Sequence, residues 1–347
     1  MIFQQLFDPK SSTYTYIIAR DVGREALIID PVFDQVDTYI AHIKRLNLKL
    51  VKALDTHIHA DHVTGLGALR DITKCVTVMG EKSSAEVVSM RVREDEQINI
   101  DGIHLNTMYT PGHTDDSYSY TMNGRVFTGD ALLIGGTGRT DFQNGDPMAG
   151  YDSLFNKILK LPENTLVYPA HDYHGNTVST IGFEVKNNPR LQVSNAQEYA
   201  DIMNNLNLPN PKMMDVAVPA NQALGKSLDK FLRPGEALSA QDVENECSRE
   251  NIVMIDLREK SERERDGWIP DSLHIPYGEL EEHAAKGGIL ERIIRDHPGC
   301  VIFYCAYGER SAMAIDTVRD LAGAGGLRHL AGGLASWSRM GGEIRSG

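Results

Sequence analysis

The sequence predicts an α/β protein built as two successive domains, and three observations carry that prediction. Short β-rich runs alternate with stretches of helical spacing along the chain. Clusters of histidine and aspartate fall directly after several of those runs, and a proline-rich stretch past residue 208 gives way to a fresh strand–helix alternation. A chain of 347 residues also exceeds the roughly 100–200 residues of one domain. We place the boundary near residues 228–238, between domains spanning 1–230 and 236–347.

In the first domain, Thr13–Ala19 and Ala26–Ile29 read as an early hairpin that runs to the turn Asp30-Pro31. Val36–Leu46 carries helical spacing, and Val51–Asp55 reads as a buried strand. Asn106–Tyr109, Arg125–Phe127 and Leu166–Tyr168 are further β-rich runs. The stretch from Leu208 to Asn221 is rich in proline and has no long periodic run. In the second domain, Ile252–Leu257 and Val301–Tyr304 read as strands and Ser311–Leu321 as a helix. The mixed charge run Glu259–Asp266 reads as a solvated helix or loop.

At 41% hydrophobic and 24% charged residues, the composition is that of a globular protein. A formal charge of −13 excludes a general nucleic-acid binder, which needs a basic face. Any anionic substrate must therefore meet a local cluster of Arg or Lys. The opening Met1-Ile2-Phe3 lacks the positive n-region of a signal peptide, and no apolar run approaches the ~18 residues of a membrane span. No membrane partner is expected. Cys75, Cys247, Cys300 and Cys305 are sparse and unpatterned, which suits a reducing cytoplasm better than a disulfide framework. A homo-oligomer is compatible with all of this.

Thr56-His57-Ile58-His59-Ala60-Asp61-His62 follows a predicted strand directly. A lone buried histidine is usually structural, but three histidines and an aspartate this close together suit a metal site. Pro111-Gly112-His113-Thr114, Thr128-Gly129-Asp130-Ala131 and Pro169-Ala170-His171-Asp172 each sit just after a β-rich run as well. Ligands offered from several strand ends build a site at one edge of the fold.

The pattern His-x-His-x-Asp-His with three later ligands resembles the metallo-β-lactamase superfamily, an αββα sandwich, over about residues 1–228. All seven usual positions are present, so ligand count alone leaves a dinuclear zinc hydrolase open. Gly138-Arg139-Thr140-Asp141-Phe142-Gln143, Tyr168 through Gly175, Asn188-Pro189-Arg190-Leu191, Asn205 through Pro209 and Ala217 through Asn221 resemble the persulfide dioxygenase branch. One departure is His113-Thr114-Asp115-Asp116, where many members of the superfamily carry Pro-Gly after the threonine.

That resemblance implies one Fe(II) held by His57, His113 and Asp130, the facial triad of non-haem oxygenases. His59, Asp61, His62 and His171 would form a vacant second site that orients the triad and handles protons. The implied reaction is oxidation of glutathione persulfide by O2 to sulfite and glutathione. Arg139 and Arg190 lie in the matching motifs and would anchor the glutathione carboxylates, with Tyr173 as a hydrogen-bonding neighbour.

In the second domain, Val301–Tyr304 ends at Cys305-Ala306-Tyr307-Gly308-Glu309-Arg310-Ser311, and a helical pattern follows. A cysteine at such a turn faces backbone N–H groups and the helix dipole, which favour an anion and stabilise a bound persulfide. Arg310 adds positive charge. The Cys-x4-Arg loop is tighter than the Cys-x5-Arg cradle of phosphatases and suits a sulfur carrier; the other three cysteines read as inert. Val253 through Arg258, Gly267 through Pro276 and His329 through Trp337 resemble the rhodanese domain, a parallel sheet with helices on both sides, over residues 236–347. Asp256 and Arg258 read as loop-fixing. The resemblance implies sulfur transfer from thiosulfate to glutathione through a Cys305 persulfide. The rival reading is a dinuclear zinc thioester hydrolase of glyoxalase II type with a rhodanese-like domain that only binds. A non-catalytic sulfur sensor is a third, disfavoured because Cys305 and every metal position are intact.

Overall fold

Six strands from the early chain make one sheet: β1 (Ile2–Asp8), β2 (Thr13–Ala19), β3 (Glu25–Ile29), β4 (Lys49–Leu54), β5 (Val76–Gly80) and β6 (Met90–Val92) in that order. The expected hairpin pairs Tyr16 with Ile29 and Ala19 with Ala26. Strand β1, at the edge, was not legible in sequence: Ile2–Asp8 is half-buried along most of its length and lacks a clean period of two. The expected helix occupies Val36–Arg45.

A second six-stranded sheet follows, built from β7 (Gln97–Ile100), β8 (Ile103–Tyr109), β9 (Tyr118–Met122), β10 (Arg125–Gly129), β11 (Leu166–Pro169) and β12 (Ser179–Thr180), in the order β12-β11-β10-β9-β8-β7. Aromatic rings join the two sheets face to face. Tyr16 lies 5.0 Å from Phe127, and Phe3 lies 4.8 Å from Tyr168, between ring centroids. Such pairs add about 0.5–1.5 kcal/mol each beyond the apolar area they bury. This is the layered sandwich, and it aligns the ends of β4, β8, β10 and β11.

The proline-rich stretch does contain a helix, Met214–Ala223, with Pro219 inside it. Helical spacing was obscured there because the proline removes a backbone donor that the helix would use.

The last sheet is β13 (Ala237–Leu238), β14 (Val253–Asp256), β15 (Leu273–His274), β16 (Val301–Tyr304) and β17 (Arg328–Leu330), in the order β13-β17-β16-β14-β15 with every pairing parallel. Strand β16 is central, so Cys305 leaves the carboxyl end of a middle strand, where open α/β sheets bind ligands. Ile302, Phe303 and Ile255 are fully buried in its core. The helix after the cysteine loop is Glu309–Ala322.

The computed structural model describes residues 1–209, 211–224, 231–247, 252–322 and 325–347. Contacts divide the chain into Met1–Gly225 and Lys226–Gly347; residues 228–230 of the expected boundary lie outside the described residues. No described helix is long and apolar enough to cross a membrane.

Candidate metal centre and cysteine loop

The donors expected from sequence converge, and they do so as two groups. His57, His113 and Asp130 form one; His59, Asp61, His62 and His171 form the other. Within each group the ligand atoms lie within 4.8 Å of one another. Their sources are the loop after β4, the ends of β8 and β10, and the end of β11.

Hydrogen bonds on the outside fix how the first group faces inward. The His113 Nδ1–H donates to the Arg139 carbonyl at 2.7 Å, which leaves Nε2 as the lone-pair nitrogen. Gly138 makes that approach possible: a Cβ there would meet the Asp130 carbonyl oxygen at 2.3 Å and His113 Nδ1 at 2.8 Å. The Thr56 hydroxyl donates to Asp30 at 3.1 Å and accepts from His57 Nδ1 at 3.0 Å, so Nε2 of His57 is likewise left for a ligand. Burial, then the neighbouring imidazole of His59, holds His57 well below the usual histidine range. Burial and His62 do the same to His59. Neutral rings are the form that binds a metal. Burial would push Asp130 up, but His171, His113 and His57 together hold its carboxyl down, so it is ionised. Two imidazoles and a carboxylate fit a divalent first-row metal.

The second group is more closed on itself. Burial would lower His171, but Asp130 and Asp61 raise it well above its ordinary range. Its Nδ1 lies 2.7 Å from Asp130 and its Nε2 2.9 Å from Asp61. His59 Nδ1 and His62 Nε2 are buried with no hydrogen-bond partner among the described residues, so this group keeps two unspent nitrogens while His171 is committed to carboxylates.

Three supporting residues escaped the sequence reading. Asp30, pushed up to about 6 by burial against the opposing pull of His57, holds the Thr56 amide and hydroxyl and accepts from His59 Nε2 at 3.2 Å. Asn221 donates to the carbonyls of His59 and His62, both at 2.9 Å, and accepts from the Thr64 amide at 2.8 Å. Asp116 accepts from the Ile58 amide at 3.1 Å and from the Thr114 hydroxyl at 2.7 Å. The unusual Asp115-Asp116 pair thus ties the His113 loop to the His57 loop through Asp116. Asp115 is exposed and takes Asn144 at 3.0 Å. The signal available in sequence was only that Asp116 and Asn221 sit in motifs; their bonds span tens of residues.

A cavity of about 790 Å³ opens onto this centre, lined by Asp61, His113, Asp130, His171, Arg139 and Arg190 among others. Its size is within the ordinary range for a small-molecule site. Arg139 already holds Asp141 through two bonds, at 2.5 and 2.6 Å, and donates to the Pro209 carbonyl at 2.6 Å. Arg190 donates to the Thr137 carbonyl and pairs with no carboxylate among the described residues. Tyr173 lines the same cavity, is 64% exposed, and lies parallel to the His171 ring at 6.2 Å.

In the second unit, Cys305 is buried beneath its own loop, and the Gly308 amide donates to its Sγ at 3.1 Å. Ala306 and Tyr307 are half-buried and the rest of the loop through Ser311 is buried. Gly308 has φ +94°, and a Cβ there would meet the Gly332 amide nitrogen at 2.6 Å, so the turn needs glycine. Arg310 is fully buried and its guanidinium grips Glu262 with two 2.7 Å bonds. This corrects the reading of Glu259–Asp266 as a solvated element. The helix is Lys260–Asp266, but one turn of it carries a buried carboxylate that neutralises the loop arginine. Arg258 holds Asp256 at 2.9 and 2.6 Å and the Gly267 carbonyl at 2.6 Å. Cys75 is buried and Cys300 half-buried; the Cys247 side chain lies outside the described residues.

Comparison with known proteins places both units. Residues 8–88 and 85–171 match the metallo-beta-lactamase superfamily, and residues 239–340 match the rhodanese-like domain. The persulfide dioxygenase ETHE1, mitochondrial, of Mus musculus is 46% identical over 228 residues, covering 65% of this chain and 89% of that protein. The crystal structure of ETHE1 from Myxococcus xanthus aligns with a TM-score of 0.64 at 49% identity, over 65% of this chain and 100% of the other. A metallo-beta-lactamase from Staphylococcus aureus subsp. aureus COL shares the fold over 96% of this chain and 98% of its own, at 23% identity and a TM-score of 0.59. This chain therefore belongs to the persulfide dioxygenase family, with a rhodanese-like domain fused after the metallo-β-lactamase fold.

Proposed function

We propose that the first unit oxidises glutathione persulfide with O2 and water to sulfite and glutathione, using one Fe(II) per chain held by His57, His113 and Asp130. The observation that carries this reading is the donor set of two imidazoles and one carboxylate, with ligand atoms within 4.8 Å of one another and His113 and Asp130 lining the cavity. Bound there, Fe(II) would supply redox-active open positions for O2 and a sulfur ligand. The chain's own groups do the rest. The Arg139 carbonyl and the Asp30–Thr56 pair orient His113 and His57. His171 keeps protons on both ring nitrogens between Asp130 and Asp61. Arg190, which pairs with no carboxylate among the described residues, is available to a carboxylate of glutathione, and Tyr173 lines the same cavity. Arg139 would take the second carboxylate by sharing its guanidinium with Asp141.

Cys305 would carry sulfur between thiosulfate and glutathione. Its thiolate attacks the outer sulfur of thiosulfate, the S–S bond breaks, and sulfite leaves with the bonding pair. Glutathione then takes that sulfur, so the second site produces the persulfide that the first consumes. The Gly308 amide and the start of the Glu309–Ala322 helix favour the anionic sulfur.

Metal analysis of protein purified without added metal tests the reading. One iron and little zinc per chain is expected. Asp130→Ala should lose iron and oxygen uptake while the thiosulfate reaction survives. Two zinc ions per chain together with thioester hydrolysis would overturn it in favour of the hydrolase.

A further inference from the structure

One buried titratable group in the second unit has no part in the chemistry so far. His329 is 1% exposed, and its Nε2–H donates to the Phe231 carbonyl at 3.0 Å. That bond fixes the tautomer: the lone pair is on Nδ1. Nδ1 in turn lies 3.3 Å from the Ser311 hydroxyl, and Ser311 Oγ lies 3.8 Å from Cys305 Sγ, the reach of a long S–H···O bond. The hydroxyl has a second acceptor in the Gly308 carbonyl at 3.1 Å, so rotation about one bond switches it between the loop and the histidine. Cysteine, serine and histidine thus form a chain of successive contacts, and all three are buried.

We propose that Ser311 and His329 form a proton relay that deprotonates Cys305 for sulfur transfer, with His329 as the acceptor. This rests on the reading of Cys305 as the sulfur carrier. In the step, the thiol proton passes to Ser311 Oγ while the serine's own proton passes to His329 Nδ1. The S–H electron pair stays on sulfur, which bonds the outer sulfur of thiosulfate as sulfite departs with the old bonding pair. Afterwards the serine hydroxyl donates to the anionic sulfur, and the imidazolium donates from both nitrogens, to Ser311 and to the Phe231 carbonyl. The proton returns or leaves to solvent when the acceptor thiol has taken the sulfur.

The surroundings suit a transient acceptor. Burial lowers His329 most, so the resting ring is neutral and able to receive; the Phe231 and Leu330 backbone groups and Glu236 favour its charge, and Arg233 opposes it. Arg233 is itself held by Asp316 at 2.8 Å, which softens that opposition. The loop arginine cannot serve the thiolate freely, because Glu262 already holds its guanidinium. The Arg310 charge acts on Cys305 but is shared with Glu262, so the proton of the buried thiol still needs a route to an acceptor.

The test is the pH profile of thiosulfate-dependent sulfite release, alongside the alkylation rate of Cys305 by iodoacetamide, followed on the peptide that contains it. His329→Gln and Ser311→Ala should each slow sulfite release on the order of 10²-fold near pH 7, the typical share of proton-transfer catalysis. Both should move the alkylation midpoint upward by about one unit, and both should recover as pH rises and hydroxide does the work instead. The double variant should be no slower than the worse single one, because a relay broken twice is one broken relay. Circular dichroism confirms the fold of each. An unchanged pH profile in both variants, or a loss that high pH does not restore in folded protein, overturns the relay. If Cys305→Ser still releases sulfite, it is the sulfur-carrier reading that falls.

Discussion

The two sites of this chain are built by opposite means. The metal centre draws its donors from His57 to His171, across four strand ends of two sheets, and no short segment contains it. The cysteine loop is one segment, Cys305 to Ser311, closed by its own backbone at the end of a central strand. The first is held from outside: Asp30 through Thr56, the Arg139 carbonyl, Asn221 and Asp116 each pin a ligand or the loop that carries it. The second is held by a fully buried ion pair, Arg310 with Glu262, and by the Leu334 and Ala335 amides, which donate to the Cys305 and Ala306 carbonyls at 2.8 and 3.0 Å. A dispersed site spreads its dependence over many weak partners. A local one concentrates it in a single loop and the few residues packed against that loop.

The largest expected effect breaks the second site alone. Cys305→Ser removes the polarizable sulfur that must become a persulfide. It should abolish sulfite release from thiosulfate plus glutathione, and oxygen uptake driven by that pair. Oxygen uptake with ready-made glutathione persulfide should persist. Survival of thiosulfate-driven uptake in the variant would make Cys305 dispensable, and its absence in the parent protein would show that the two sites do not share an intermediate.

Next in size is the support of that loop. Glu262→Ala leaves the Arg310 charge buried and unpaired, a loss of about 3–5 kcal/mol. Denaturant or thermal unfolding should report a destabilised second unit with iron content unaltered. A melting profile like that of the parent protein would mean that water or a rearranged loop replaces the carboxylate.

The cavity of the first unit offers a subtler contrast between its two arginines. Arg190→Ala should raise the KM for glutathione persulfide roughly ten- to a hundredfold, from the loss of a charge-assisted hydrogen bond worth about 1.5–3 kcal/mol. Arg139→Ala should raise it as well, by less, since Asp141 already holds that guanidinium. If neither variant changes KM, the substrate carboxylates lie elsewhere.

The smallest effect concerns one outer support of the dispersed site. Asn221→Ala removes three hydrogen bonds to the His59–Thr64 loop. Iron affinity should fall about tenfold, at the lower end of what the loss of an outer partner costs, because Asp30, Thr56 and Asp116 still hold the loop. Titration with a competing chelator would measure it, and unchanged affinity would remove Asn221 from the support.

Much of this is legible in the sequence. The runs Thr13–Ala19 and Val301–Tyr304 are strands with those same bounds, because apolar β-rich segments between turn signals have one stable use. The donors and Cys305 were visible because their residue types are rare together and follow strands. What distance in sequence concealed was the support. Glu262 looked like part of a solvated charge run until Arg310, 48 positions later, was found beside it. Asn221 sat in a stretch without periodicity, yet it holds carbonyls about 160 positions earlier, at His59 and His62.

The sequence by itself determined the chemistry on offer: imidazole and carboxylate donors at strand ends, a cysteine before a helix, and two α/β domains in order. Only the tertiary structure decided how those donors divide into two groups, which nitrogen of His57, His113 and His329 holds the lone pair, and which arginines are already paired. The reason is physical. Residue identity and local spacing fix what a segment can form, whereas tautomer, ionisation and pairing are set by whichever groups the packed fold brings within about 3 Å, and those come from anywhere along the chain.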